Sequence, residues 1–245
     1  MSAPYTLLAS VYDRFMADAP DDAWLQWIAA HIPDLSRRSA ADLGCGTGRF
    51  TVRLAPLVRR LIGVDASNDM LALAHDRARQ TRVQVEWLCQ DLVQLKLPSP
   101  VDLMVATCDS LNYLVDKEDL RQAFQAMRNN LTEDGWLCFD LIGPSRLAAL
   151  REGLSYELAD DAAVLFESVV QEDGRIDYEV HAFIQKENGD YQRIIEAHQQ
   201  RYYAYEEIRD LLRKSGFSRV EVTGDFGASP LPLAERWLVV ARSDA

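Results

Sequence analysis

No stretch of this 245-residue chain approaches the roughly 18 consecutive apolar residues that a membrane-crossing helix needs, which excludes an integral helical membrane protein. Cysteine is scarce. Cys45, Cys89, Cys108 and Cys138 have neither metal-ligand nor redox-pair spacing, so a zinc domain and a disulfide scaffold are both excluded and no metal site is expected. Most of the four stand in apolar, strand-like surroundings and read as buried thiols of a reducing cytoplasm. The opening MSAPYTLLASVYDRF has no basic start and no small-residue cleavage site, so no secretory signal is expected. Positive charge is also in deficit: 26 basic against 38 acidic side chains give a net charge of −12. Such a surface repels phosphate backbones, and nucleic acid is an unlikely partner. Arg49, Arg53, Arg59 and Arg60 are the one grouping that could reverse this locally, their alternative being solvated charge on a helix and a strand edge.

What the chain has is an ordinary globular composition, 48% apolar and 26% charged, and a regular alternation of elements. Amphipathic helices are predicted from about Tyr5 to Met16 and from Asp22 to Ala30. Strands follow at Ala40–Leu43, Leu61–Val64, Val83–Leu88, Val101–Ala106 and Trp136–Ile142. Helices from Arg49 to Leu57, from the N-cap Ser67 to Arg79, and from Asp116 to Asn129 separate the strands. That rhythm predicts an α/β fold, a Rossmann-like, mostly parallel sheet of seven strands with right-handed crossovers. After Pro144 the rhythm changes. From Ala163 to Tyr203 the sequence reads as three antiparallel strands, with turns at Asp173-Gly174 and Asn188-Gly189. A helix over Glu206–Lys214 and two strands, Val220–Thr223 and Arg236–Ala241, complete the sheet. The chain is therefore expected to be a single domain over 1–245, with residues 1–32 as a helical lid and about 145–203 as an antiparallel insert after the fifth strand.

The richest local signal is Asp42-Leu43-Gly44-Cys45-Gly46-Thr47-Gly48, between the first strand and the next helix. Glycines there let the backbone approach a ligand closely, and ligands of open α/β sheets bind at the carboxyl ends of the strands. The second strand ends in Asp65, placed to accept hydrogen bonds from ribose hydroxyls. Loop and acid together indicate an adenosine-containing ligand. The dinucleotide fingerprint is G-x-G-x-x-G, whereas the spacing here is G-x-G-x-G, with Asp42 two positions earlier. A carboxylate at that place repels a pyrophosphate and suits an ammonium group. S-adenosylmethionine (SAM), which carries an α-ammonium, a sulfonium and a ribose but no phosphate, fits that pattern better than NAD(P).

DLGCGTG resembles motif I of the class I SAM-dependent methyltransferases, and GVDASNDML resembles the segment after their second strand. Cys89-Gln90-Asp91-Leu92 and Ala106–Tyr113 are similar to the turns after the third and fourth strands. Val11-Tyr12-Asp13-Arg14-Phe15-Met16, followed by Trp24 and Trp27, is similar to the small bacterial enzymes of the sugar-amine N-methyltransferase type, which also carry an insert after the fifth strand. The resemblance covers nearly the whole chain. It implies that Gly44, Cys45 and Gly46 make room for the methionine moiety, that Asp42 offsets its ammonium charge, and that Asp65 holds the ribose. It further implies that Ala66 and Met70 pack on the adenine, that Asp91 and the Leu92 backbone meet its amine edge, that the Cys108 carbonyl faces the amino group, and that Tyr12 covers the cofactor.

A sulfonium is already an activated electrophile, so alignment and water exclusion can supply much of the rate, and only a hydroxyl acceptor demands a base. The sequence singles out no catalytic residue. Its candidates come from the insert and from the turn after the fourth strand. With a two-residue turn at Asn188-Gly189, His181 pairs with Glu196, Glu179 with His198, and Asp177 with Gln200, all on one face. That polar face, with His198 and His181 as proton acceptors, would line a pocket for a small-molecule acceptor; the alternative is solvated cross-strand pairing on an outer face. Asp109, Asn112 and Tyr113 are further candidate acceptor contacts. His31 and His75 fall on helices and read as surface or capping residues. The rival readings are an NAD(P)-dependent oxidoreductase and a non-catalytic SAM-binding regulator. The oligomeric state is not legible.

Overall fold

The computed structural model describes residues 19–186 and 188–242; Tyr12 and the first expected helix lie outside the described residues. Helix α1 (Asp21–His31) carries acids in its first turn and buries Trp24, Trp27 and Ile28. The βα units follow as expected: β1 (Ser39–Leu43), α2 (Arg49–Leu54), β2 (Arg60–Asp65), α3 (Asn68–Thr81), β3 (Glu86–Cys89), β4 (Val101–Ala106), α4 (Lys117–Asn129) and β5 (Leu131–Ile142). Ser67 caps α3 by accepting from the Met70 N–H, and Asp116 caps α4 through the Glu118 N–H. Strand β3 starts later than the apolar run from Val83 suggests. The left-handed Arg82 (φ 57°) ends α3, and the Val83 N–H is spent on the Ala78 carbonyl, leaving the ladder to begin at Glu86.

The insert is larger than expected. Helix α5 (Pro144–Leu150) precedes four strands rather than three, β6 (Leu154–Ala159), β7 (Ala162–Val170), β8 (Arg175–Gln185) and β9 (Tyr191–Arg201), which form an antiparallel sheet in chain order. Strand β6 is solvent-exposed along its length, with Leu154, Tyr156 and Leu158 outward, so its alternation carries no burial signal. Helix α6 (Tyr205–Lys214) then leads to β10 (Arg219–Gly224) and β11 (Arg236–Arg242). The main sheet has seven strands in the order β10-β11-β5-β4-β1-β2-β3, parallel except that β11 runs antiparallel to both neighbours. This is the expected Rossmann-like sheet with an antiparallel insert.

The central strands are apolar on both faces because both faces are covered. On one side Leu103, Val105, Leu238 and Val240 meet Trp24, Trp27, Ile28, Phe50 and Leu54. On the other, Met104, Ile62, Val64 and Phe139 meet Phe124, Met127 and Leu212 from α4 and α6. Helix α1 is thus part of the packed core, although Ala19 and Pro20 just before it reach the functional cavity described below.

One mid-strand glycine supports the site. A Cβ on Gly63 of β2 would lie 2.3 and 2.4 Å from the indole carbons Cζ3 and Cε3 of Trp87, and 3.3 Å from the Cys45 Sγ. The same indole lies 3.1 Å from a Cβ built on Gly48, so Trp87 packs beneath the glycine loop. Gly63→Ala is expected to lower stability by about 1–3 kcal/mol through overpacking, read as a reduced urea midpoint at unchanged slope.

Candidate active site

The glycine loop leaves β1 at its carboxyl end with Gly44, Gly46 and Gly48 at φ 66°, 54° and 73°. Gly44 also has no room for a side chain, since a Cβ there would stand 2.8 Å from the Ser110 Cβ. A Cβ on Gly46 meets no described atom within 4 Å, so the loop presents bare backbone to open space. The Cys45 N–H bonds the Val64 carbonyl at 3.0 Å, fastening the loop to β2.

Two carboxylates underlie this loop. Asp42, at 1% exposure, accepts from the Thr51 hydroxyl at 2.6 Å. Burial drives its pKa up to about 7, with the charges of Asp65 and Asp21 adding to the rise and the Thr51 bond opposing it. Asp65 ends β2 and binds two backbone donors, the Gly46 N–H at 2.8 Å and the Ser67 N–H at 2.9 Å. Burial raises its pKa, and these donors lower it. Beside it, Cys89 Sγ lies 3.5 Å from the Ala66 carbonyl, and the Gln90 N–H bonds the Asp65 carbonyl. Ala66, Asp91 and Leu92 therefore gather at the ends of β2 and β3, and Met70 in the first turn of α3 is buried. The exposed Asp91 accepts from the Val93 N–H at 2.9 Å. The residues present fit SAM: a glycine cradle, a buried carboxylate for an ammonium, and an acid at the end of β2 for a ribose.

The turn after β4 borders this cradle, with Ser110 against Gly44, and opens on its other side into a cavity of about 710 Å³. Cys108, Asp109, Tyr113 and Arg236 form the wall nearest the sheet, and Val164, Phe166, Tyr178, Val180, His198 and Gln200 of the insert face them. Two candidates are thereby placed at the cavity, and a third is not. The hairpin register differs by one residue from the expected one. The Lys186 N–H bonds the Asp190 carbonyl and Gly189 takes φ 88°, the geometry of a three-residue turn with a left-handed glycine. His198 consequently faces Tyr178 and His181 faces Ile195, so the six-residue polar face does not form. His181 turns to the face of the hairpin opposite His198, where it is buried with Arg193 at 2.7 Å and Glu179 at 2.8 Å. His198 and Gln200 stay in the cavity among apolar neighbours.

The His198 ring meets Tyr113 edge-on at 6.2 Å, and its Nε2 is 3.9 Å from Glu196 Oε2. Burial lowers its pKa to about 4, so the imidazole is neutral at physiological pH. Asn112, an acceptor candidate by sequence, is fully buried scaffold: it accepts from the Ile142 N–H and donates to the Arg201 carbonyl. Only two of the four thiols are buried. Cys89 is exposed at the edge of the cradle and Cys108 is half-buried, its pKa raised to about 11 by desolvation. Arg49 and Arg53 pair with Asp21, Arg59 with Asp102 and Arg60 with Glu86, so the basic grouping is neutralised. Among the described residues no cluster of His, Cys, Asp or Glu could hold a metal ion.

Sequence reasoning missed Trp87 under the loop and Ser110 against Gly44. It also missed Asp140 and Arg236, which meet behind the β4 turn. The one available signal was an acid, Asp140, interrupting the apolar end of β5.

Comparison with known proteins shows the family. A methyltransferase-domain family model matches residues 40–135, which span the cradle and the β4 turn. A protein of Geobacillus sp. (strain WCH70) whose name assigns it to the methyltransferases is 32% identical over 97% of this chain and 99% of its own. A SAM-dependent methyltransferase from Clostridium acetobutylicum superposes with a TM-score of 0.86 at 25% identity, covering 98% of this chain and 99% of the other. The sugar N-methyltransferase KedS8 from Streptoalloteichus shares the fold at a TM-score of 0.80 and 20% identity, over 96% of this chain and 93% of the other. A glycine cradle without a pyrophosphate fingerprint, backed by full-length relatives, sets aside the dinucleotide reading, and the chain belongs to the class I SAM-dependent methyltransferases.

Proposed function

We propose that this enzyme methylates a small-molecule amine or hydroxyl held in the cavity between the β4 turn and the insert. The observation that carries this reading is the position of Cys108 and Asp109: one side of their turn borders the glycine cradle, and the other lines a cavity of about 710 Å³. That volume suits a metabolite. A name such as sugar N-methyltransferase, given to a structural neighbour, favours an amine. The net charge of −12 and the pairing of Arg49, Arg53, Arg59 and Arg60 favour a metabolite over nucleic acid. We place the enzyme in the reducing cytoplasm on the strength of its four free thiols. The chain acts as a single domain, with α1 packed into the core and about 145–203 shaping the acceptor side.

When bound, SAM supplies an activated methyl group. Asp42 offsets the ammonium charge, Gly44, Cys45 and Gly46 admit the methionine moiety, and Asp65 holds the ribose. Ala66 and Met70 pack on the adenine, Asp91 and Leu92 meet its amine edge, and the Cys108 carbonyl faces the amino group. The aromatic walls of the cavity, Phe166, Tyr178 and Tyr113, exclude water and orient the acceptor. His198, neutral within that wall, takes the proton that the acceptor loses. Labelled SAM offered with pools of amines, hydroxyls and carboxylates tests the reading. Transfer to an amine or hydroxyl pool is expected, and no transfer to any pool from protein that binds S-adenosylhomocysteine would overturn it.

Asp42 gives a pH prediction. In the free protein its carboxyl is half-protonated near pH 7, and an ammonium beside it favours the ionised form. Binding of S-adenosylhomocysteine should therefore release a proton below that pH. Affinity should rise as pH increases toward about 7 and level off above it. Calorimetry in buffers of different ionisation enthalpy reads the released proton, and Asp42→Asn should abolish it.

A further inference from the structure

The turn that closes β4 is held in an unusual shape. Cys108 and Asp109 stand in succession at φ 58° and 50°, a left-handed backbone uncommon for non-glycine residues and rarer still for two in a row. Three side chains from separate elements impose it here. Asp140, at the end of β5 and fully buried, accepts the Asp109 N–H on Oδ1 at 3.0 Å. Its other oxygen is ion-paired with the Arg236 guanidinium of β11, which also reaches Asp109 Oδ1 at 3.4 Å. From the insert, the Gln200 amide, itself only 4% exposed, donates to Asp109 Oδ2 at 2.7 Å. A carboxylate sunk into the apolar run Cys138-Phe139-Asp140-Leu141 is costly unless it is paired, and this one is paired on one oxygen to the turn and on the other to Arg236.

We propose that Asp140 and Arg236 are positioning residues that lock the Cys108–Asp109 turn against the glycine cradle, and that Gln200 ties this lock to the acceptor side of the cavity. The lock then joins cofactor and acceptor sites through one rigid element, so that a displaced insert is felt at Cys108. The acceptor half of this statement rests on the proposed function; the lock itself does not. Arg236 is held from behind by the Trp24 indole, 5.9 Å from the guanidinium carbon, so α1 supports the same assembly.

Residue-resolved amide hydrogen exchange on the full-length protein without ligand reads the lock directly. In Asp140→Ala the Asp109 N–H should exchange at least about tenfold faster, while Phe139 and Val239 of the β5–β11 ladder stay unchanged. Asp140→Asn retains an acceptor at the same place and should restore most of the Asp109 protection. Arg236→Gln, whose amide can still donate toward Asp140, should speed Asp109 severalfold and serves as the test if Asp140→Ala does not fold. In calorimetry with S-adenosylhomocysteine, Asp140→Ala and Arg236→Gln should each bind about tenfold more weakly, and Asp140→Asn should lie nearer the parent. Unchanged Asp109 exchange in the variants overturns the lock. Acceleration of the whole β5–β11 ladder in step with Asp109 also overturns it, because that marks general scaffolding. Failure of the parent protein to bind S-adenosylhomocysteine would strike the cofactor reading and leave the exchange result standing.

Discussion

Asp65→Ala is expected to weaken S-adenosylhomocysteine binding by about 2–4 kcal/mol, the sum of a lost charged hydrogen bond to ligand and of protein donors left without an acceptor. Asp65 holds the Gly46 and Ser67 N–H groups at 2.8 and 2.9 Å, so its removal loosens the cradle as well as the ribose contact. Asp65→Asn keeps one acceptor oxygen and should fall between the two. Calorimetry on variants whose urea midpoints are matched to the parent separates the local effect from general destabilisation. An unchanged dissociation constant would remove Asp65 from the site.

His198→Ala should lower turnover about 10²-fold or more, the usual scale for a lost proton acceptor, while the dissociation constant for S-adenosylhomocysteine stays within about twofold. The split is expected because His198 lies on the insert side of the cavity, where it meets Tyr113 and pairs across strands with Tyr178. The pH profile carries the same assignment. Burial holds the imidazole neutral down to about pH 4, so with saturating cofactor and acceptor the loss of activity that traces to His198 should appear only as pH approaches that value. The stability sign follows from the same shift. The unfolded chain protonates this histidine near the ordinary imidazole value of 6.5 and the folded chain near 4, so His198 lowers stability progressively as pH drops through that window. Normal turnover in the alanine variant, with an identified acceptor, would reduce His198 to part of the wall.

The sheet was legible because its signals are local: apolar runs of strand length, capping residues such as Ser67 and Asp116, and glycines at a strand–helix junction. The cradle was legible for the same reason, as Asp42, Gly44, Gly46 and Asp65 lie within two adjacent turns. The insert was less so. Its faces depend on one residue of hairpin register, and a third loop residue at Asn188-Gly189 moved His181 to the opposite face while leaving His198 inside. Strand β6 escaped notice because, among the described residues, its apolar side chains Leu154, Tyr156 and Leu158 stay exposed. The lock behind the β4 turn was out of reach, since Asp109, Asp140, Gln200 and Arg236 meet only once the sheet order brings β4, β5 and β11 side by side and β9 across them.

The account stands on two ligands meeting at one turn, and a crystal structure of the enzyme with S-adenosylhomocysteine tests this most directly. The account predicts that the thioether sulfur lies beside Cys108 and Asp109 with its open side toward His198 and Tyr113 across the cavity. A sulfur pointing away from that cavity, with the space beside it lined by other residues, would contradict it.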